Sequence, residues 1–185
     1  MARTGMTTLL SRLRRLVDDA GTAVWTNDQL QDVLDEHQQR IWREPLEMNP
    51  TYTSGTSQIY VEYRSQYGNY ESGGTAYFKV EDSAGAARGT ADYTVDYLNG
   101  VVTMAADQVG TALYLTAYTY DLFGAAADCW RERAGKVSSY YDFRADGHQM
   151  SRSQWFNHCQ AMANDYARQA KPITVRQWQN GRFDR

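Results

Sequence analysis

The sequence is poor in the residues that mark several protein classes. Its 185 residues include only two cysteines, Cys129 and Cys159, which excludes a disulfide scaffold and favours a reducing, cytoplasmic origin. The 14 glycines follow no triplet repeat, so a collagen-like chain is excluded. There is no apolar run of about 18 residues, and the arginine-rich start has no apolar stretch. We therefore expect neither a membrane span nor a secretory signal.

The sequence also has no large excess of positive or negative charge. The net charge of −3 is too small to indicate bulk binding of nucleic acid. Hydrophobic residues at 42% and charged residues at 22% are ordinary for a globular chain of roughly one domain. The distribution is uneven, because eleven of the fourteen tyrosines lie in residues 50–120, which carry a net charge of −4. Residues 171–185 carry a net charge of +3.

The first 42 residues predict two amphipathic helices, since apolar side chains recur there at helical spacing. Gly21 is expected to end the first helix. Thr26 and Gln29 have the spacing of a capping box that begins the second. Pro45 and Pro50 are expected to end it. Its apolar stripe consists of Leu30, Val33, Leu34, His37 and Ile41.

Residues 51–120 change to the period of two that is typical of strands. Short turns divide the segment into four to five antiparallel strands. Asn99-Gly100 is the strongest hairpin signal among these turns. Tyrosine and threonine, which are frequent here, suit a pleated and half-exposed surface.

The helical period returns after residue 120. Asp121 is expected to cap a third helix that runs to near Tyr141, and Asp146-Gly147 forms a loop. Ser151 and Gln154 have the spacing of a second capping box, which begins a fourth helix that ends before Pro172. The sequence therefore predicts an α+β fold. Residues 1–50 and 121–170 form a four-helix bundle, residues 51–120 an inserted antiparallel β-sheet domain, and residues 171–185 an extended C-terminal arm.

No set of catalytic residues is evident in the sequence, so an enzyme is not expected. His37 lies on an apolar stripe and is interpreted as a structural histidine. His158 and Cys159 would join Cys129 in a zinc site only if the last two helices packed in one register; buried, unligated cysteines are the favoured interpretation. No sequence pattern indicates a catalytic pair of carboxylates or a phosphate-binding glycine loop. Accordingly, no metal or cofactor is expected.

Two features leave alternatives open. The tyrosines of the sheet suit either ordinary sheet packing or a stacking platform, and a carbohydrate-binding module would use Tyr63, Tyr67, Tyr70 and Tyr114. The negative charge of the segment argues against nucleic acid on the sheet. The C-terminal arm is either a solvated end or a peptide that adds to a neighbour as a strand.

The order of elements and several segments resemble head-to-tail adaptor (connector) proteins of long-tailed bacteriophages. The first segment runs from Trp25 to Leu30 and continues through Leu34, His37 and Arg40. The second is residues 92–103. The third is residues 121–133, followed by Asp146-Gly147 and by residues 151–154.

The resemblance implies a structural virion protein in the neck between capsid and tail, made in the host cytoplasm. It implies a dodecameric ring with the portal protein above and a stopper or tail protein below. DNA would pass through the lumen without specific binding, and no membrane is involved. The resemblance places portal binding on the arm, at Ile173, Val175, Arg176, Trp178, Arg182, Phe183 and Arg185. The alternatives are another neck or tail component, such as a stopper or tail terminator, and the carbohydrate-binding module.

Overall fold

The computed structural model describes residues 2–52, 58–138, 143–145, 148–150 and 152–170. Within them the fold is α+β, with four α-helices and two antiparallel sheets of three and four strands. The seven strands of these two sheets lie between the second and third helices in the chain, as the sequence predicts.

The N-terminal helices follow the predicted pattern. A 3-10 turn, Thr4–Met6, leads into α1, Thr7–Leu16, and α2 spans Asn27–Glu36. The predicted capping box is confirmed: the Gln29 amide donates to Thr26 Oγ1 at 3.2 Å, and the Thr26 amide donates to Gln29 Oε1 at 2.9 Å. The prediction that Gly21 ends the first helix is wrong, because α1 already ends at Leu16 and Asp18 takes a positive φ of 51°.

The predicted extent of the second helix is also wrong. α2 ends at Glu36, and two strands follow, β1 at Gln38–Pro45 and β2 at Glu47–Tyr52. Ile41 fits the helical stripe by spacing, yet it is buried in β1, opposite Ala117 of the last long strand. Hydrogen bonds to a strand some eighty residues away decide the conformation, and local spacing cannot reveal them. The strands therefore begin at residue 38, not at residue 51.

The remaining long strands build two antiparallel sheets. They are β3 (Gln58–Arg64), β4 (Phe78–Glu81), β5 (Tyr93–Asp96), β6 (Val101–Met104) and β7 (Tyr114–Tyr120). The strand orders are β1-β7-β4 and β2-β3-β6-β5. Both sheets contribute to one hydrophobic core, in which Tyr63, Val80 and Leu115 are fully buried.

The predicted hairpin at Asn99-Gly100 is confirmed, since it joins β5 to β6. Gly100 has a φ of +69°, and a Cβ at this position would lie 2.1 Å from the backbone oxygen of Tyr67. The turn therefore requires glycine for two reasons, its conformation and its close packing.

Replacing Gly100 by alanine is expected to lower the free energy of unfolding by about 2 kcal/mol, because the methyl group meets backbone and the φ is unfavourable. Urea denaturation followed by circular dichroism measures the change. Gly21→Ala is the matched control: nothing lies within 4 Å of its Cβ position, so its stability should stay within about 0.5 kcal/mol of wild type. Equal stabilities of the two variants would contradict the account of the turn.

The C-terminal helices are α3, Leu122–Ser138, and α4, Arg152–Gln169. Asp121 caps α3 as predicted, because its Oδ1 accepts from the amides of Phe123 and Gly124, each at 3.1 Å. A hairpin of two short strands, β8 (Phe143–Ala145) and β9 (His148–Met150), was not predicted. The predicted helix end at Tyr141, the loop at Asp146-Gly147 and the cap at Ser151 lie outside the described residues.

The helices pack around two cores. α1, α2 and α3 share the larger one, with Leu9, Leu30 and Ala126 fully buried. α4 packs against α3 around a smaller core of Trp130, Ala134, Cys159 and Ala163. In the described part of the chain, most side chains of α4 are exposed.

A partly buried ionic network joins the N-terminus to both the helices and the sheets. Arg3 Nε lies 2.8 Å from Glu71 Oε1, and Arg3 Nη2 lies 2.6 Å from Asp35 Oδ1. The hydroxyl of Tyr120 donates to Glu71 Oε2 at 2.5 Å, although the Glu71 side chain is 0% exposed. The two carboxylates, Asp35 first, raise the pKa of Arg3.

Candidate functional site

The predicted portal-binding residues lie outside the described residues, since all seven fall within 171–185. The arm begins directly after Ala170. That residue lines a pocket of about 360 Å³ between the ends of α2 and α4 and the start of α3. The described part of the chain therefore shows only where the arm begins, next to this pocket.

The pocket holds the histidine that the sequence assigned a structural role. His37 follows the last residue of α2, and its Nε2 lies 2.7 Å from Asp128 Oδ2 on α3. Arg131 donates to the other oxygen of Asp128 at 2.5 Å. The described residues lining the pocket include Asp121 and Gly124 and no hydroxyl or thiol side chain. The contact ties α2 to α3.

The most distinctive surface lies on the three-stranded sheet. Tyr114 and Tyr118 of β7 lie on the side of the sheet opposite to Leu115 and Ala117, and Tyr118 also packs against the helical core there. The guanidinium carbon of Arg43 lies 5.0 Å from the ring centre of Tyr114, and that of Arg40 lies 6.0 Å from the ring centre of Tyr118. We call this surface, formed by Arg40, Arg43, Tyr114 and Tyr118, the arginine–tyrosine face.

A third arginine lies over a tyrosine ring at one end of this face. Arg3 lies over the ring of Tyr77 at 5.6 Å, and the rings of Tyr77 and Tyr118 are 6.0 Å apart. An arginine stacked on a tyrosine keeps its charge while its side chain is held in one orientation. Arginine and tyrosine are also enriched where proteins bind one another.

A bulge in β1 shapes the edge of the face. The pairing of β1 with β7 shifts between Ile41 and Glu44, and Arg43 has a φ of +48°. Arg43 is held there by hydrogen bonds from its Nη2 to the carbonyl oxygens of Asp82 and Ser83, at 3.3 and 3.0 Å. Beside it, Trp42 is 69% exposed. An exposed tryptophan next to a strained backbone is typical of a binding surface.

An ion pair to a buried carboxylate lies at the opposite edge of the face, on β4. Lys79 and Thr116 both hydrogen-bond to Glu81, which is 5% exposed. Lys79 first, and then Thr116, holds the pKa of Glu81 below its ordinary value in spite of burial. The Glu81 carboxylate is therefore ionised and paired with Lys79, and the nearby charge of Arg43 also lowers its pKa.

Sequence reasoning missed this face. The net charge of −4 counted for residues 50–120 argued against a cationic sheet, but Arg3, Arg40 and Arg43 come from outside that segment. The signal was present in the alternation of Arg40, Ile41 and Trp42, which becomes visible only when residues 38–45 are interpreted as a strand.

The tyrosines assigned to a carbohydrate platform do not form one surface. Tyr63 and Tyr70 are 0% and 1% exposed, and they donate or share hydrogen bonds with Thr111 and Ser65 inside the fold. Burial raises the pKa of both hydroxyls. Tyr114 lies beneath Arg43. Tyr67 is half-buried and packs against the core of the sheets.

The residues considered for zinc are also separated. Cys129 belongs to the larger helical core and Cys159 to the smaller one, while His158 packs between Trp155 and Trp130 with ring centres 5.3 and 5.7 Å away. Burial raises the pKa of the Cys129 thiol to about 12. Among the residues described, no group of three or more histidine, cysteine or acidic side chains is placed to hold a metal ion.

Comparison of the chain with known protein families, curated proteins and solved structures finds no match. In the described part of the chain, no helix has both the length and the apolarity needed to cross a bilayer.

Proposed function

We propose that this chain is a structural virion protein: a head-to-tail adaptor that forms a ring between the portal and the stopper or tail. The ring is proposed to be dodecameric and to surround part of the DNA channel in the neck of the virion. The proposal rests on the resemblance of the capped helices and of the strand–turn–strand segment. No catalytic role, cofactor or membrane contact is part of it.

The observation that carries the proposal is the composition of the apolar and basic arm that follows Ala170. In the described part of the chain, α4 packs mainly against α3, and Tyr166 also contacts the larger helical core. A segment of 15 residues with a net charge of +3 and with Trp178 and Phe183 suits a peptide that binds a partner. We propose that Ile173, Val175, Arg176, Trp178, Arg182, Phe183 and Arg185 contact the portal.

We also propose how the parts of the chain are organised. The helices act as a four-helix bundle, the strands as an inserted domain and residues 171–185 as an extended arm. The negative charge of residues 50–120 suits a channel through which DNA passes without being held, because like charges repel. A stopper or tail terminator would share the ring but not the portal partner.

Removing residues 171–185 is expected to leave the fold intact and to abolish binding to the portal protein of the same virus. Co-purification of the two proteins measures binding, and circular dichroism reports the fold. Trp178→Ser with Phe183→Ser should weaken binding by about tenfold or more. The matched control, Gln179→Ser with Asn180→Ser, should bind as the wild type does. A shortened chain that still binds the portal would contradict the role of the arm.

A further inference from the structure

We propose that the arginine–tyrosine face of one copy binds the acidic side of α2 on a second copy. This inference rests on the proposed ring, since it names the contact between neighbouring subunits. The proposed partner is a second copy of this chain, because the complementary charge lies on the chain itself.

α2 exposes a row of carboxylates, Asp28, Asp32 and Glu36, which we call the acidic row. The spacing of four residues places them about 6 Å apart along the helix axis. Leu30 and Leu34, which enter the core, lie about 180° away around the helix at 100° per residue. The acidic row therefore points away from its own chain.

Two members of the acidic row, Asp32 and Glu36, have unfavourable interactions in an isolated subunit. Asp32 and Glu36 form no ion pair with any residue in the described ranges, and no basic residue occurs in the last turn of α2. Like charges four residues apart repel, and a carboxylate near the C-terminus of a helix opposes the helix dipole. A cationic surface placed against the row removes both effects.

The arginine–tyrosine face supplies such a surface. Arg40 is exposed, and Arg43, which is half-buried, donates to the carbonyl oxygens of Asp82 and Ser83. Stacking on Tyr118 and Tyr114 orders both guanidinium groups before binding, which reduces the entropy lost on association. Trp42, 69% exposed beside them, provides an apolar anchor at the edge of the contact.

The two patches differ, so the contact is heterologous and can close into a ring. Carboxylates fit the face better than nucleic acid does, because arginines already cover the rings of Tyr114 and Tyr118 on which bases would stack.

Charge reversal tests the contact in the full chain. One variant carries Asp32→Lys and Glu36→Lys, and the other carries Arg40→Glu and Arg43→Glu. Light scattering in about 50 mM salt, where charge pairing is weakly screened, measures the mass against the 21.1 kDa of one chain. The wild type should associate, and about 500 mM salt should weaken its association. Each variant alone should be monomeric, while their equimolar mixture should associate because opposite charges then face each other.

Two further variants and a measurement of folding separate loss of the contact from misfolding. Trp42→Ala removes an exposed side chain without changing charge and should weaken association about tenfold. Glu47→Lys reverses an exposed carboxylate outside the acidic row and should associate as the wild type does. Circular dichroism verifies the fold of every variant.

Three results would overturn the inference: a monomeric wild type, a reversed variant that associates alone, or folded variants whose mixture stays monomeric. A monomeric wild type that binds a labelled single-stranded oligonucleotide would assign the face to nucleic acid instead. Portal co-purification is measured separately. A wild type that binds portal but does not self-associate overturns this contact and leaves the proposed function standing.

Discussion

Replacing Arg3 by methionine is expected to lower the free energy of unfolding by about 3–5 kcal/mol. The substitution leaves the carboxylate of Glu71, which is 0% exposed, with the Tyr120 hydroxyl but without its cation. It also releases Asp35 and thereby removes the ion pair to α2, while the backbone amide of residue 3 still donates to Gln31. Urea denaturation at neutral pH, followed by circular dichroism, measures the change.

Two further variants separate this effect from the loss of an ordinary surface charge. Arg15→Met removes an exposed arginine that pairs with no carboxylate in the described part of the chain, and its stability should change by less than about 0.5 kcal/mol. Adding Glu71→Gln to Arg3→Met should recover part of the loss, because the buried charge is then gone while Tyr120 keeps an acceptor. A stability of Arg3→Met equal to that of Arg15→Met would contradict the role of the network.

Alkaline pH is expected to unfold the protein cooperatively. Burial raises the pKa of Tyr70 and Tyr120 above their ordinary value near 10, and it raises that of Cys129 to about 12. In the unfolded chain these groups lose their protons at their ordinary pKa values. Above about pH 9 the unfolded state thus binds fewer protons than the folded state, and stability falls as pH rises.

The size of the effect follows from the number of groups. Each group that stays protonated in the fold and ionises in the unfolded chain lowers the free energy of unfolding by about 1.4 kcal/mol per pH unit. Below about pH 8 these groups contribute no slope. Urea midpoints between pH 8 and 11, together with the ultraviolet absorbance of tyrosinate, measure both the slope and the ionisation.

A pair of phenylalanine variants assigns this slope to buried hydroxyls. Tyr70→Phe removes one buried hydroxyl, so the loss of stability with pH should become shallower above pH 10. Tyr52→Phe removes a hydroxyl from a side chain that is 70% exposed, and the slope should stay as in the wild type. Identical slopes in both variants would refute the assignment.

The elements that sequence analysis predicted correctly depend on neighbours in the chain. The capping box of Thr26 and Gln29, the turn at Asn99-Gly100 and the cap at Asp121 each rest on contacts within four residues. Their chemistry is therefore readable from spacing.

The elements that it missed depend on distant partners. Ile41 lies at a helical spacing from Leu34, but β1 pairs with β7, and no local pattern announces that pairing. The division of the strands into two sheets has the same origin, since β7 pairs with β1 and β4 rather than with its neighbour β6.

The candidate surfaces show the same limit. The arginine–tyrosine face joins residues of β1 with residues of β7, more than seventy positions apart, so a charge count by segment could not find it. The acidic row of α2, by contrast, can be recognised from the sequence once the helix is placed, because its members repeat every four residues.

The central claim is that the chain forms an adaptor ring on a portal. The most direct measurement is the mass and symmetry of the complex obtained when the full chain is purified with the portal protein of the same virus. The account predicts a ring of about twelve copies, each of 21.1 kDa, stacked on the portal in negative-stain images and lost when residues 171–185 are removed. A chain that remains separate from the portal at high concentration of both proteins would contradict it.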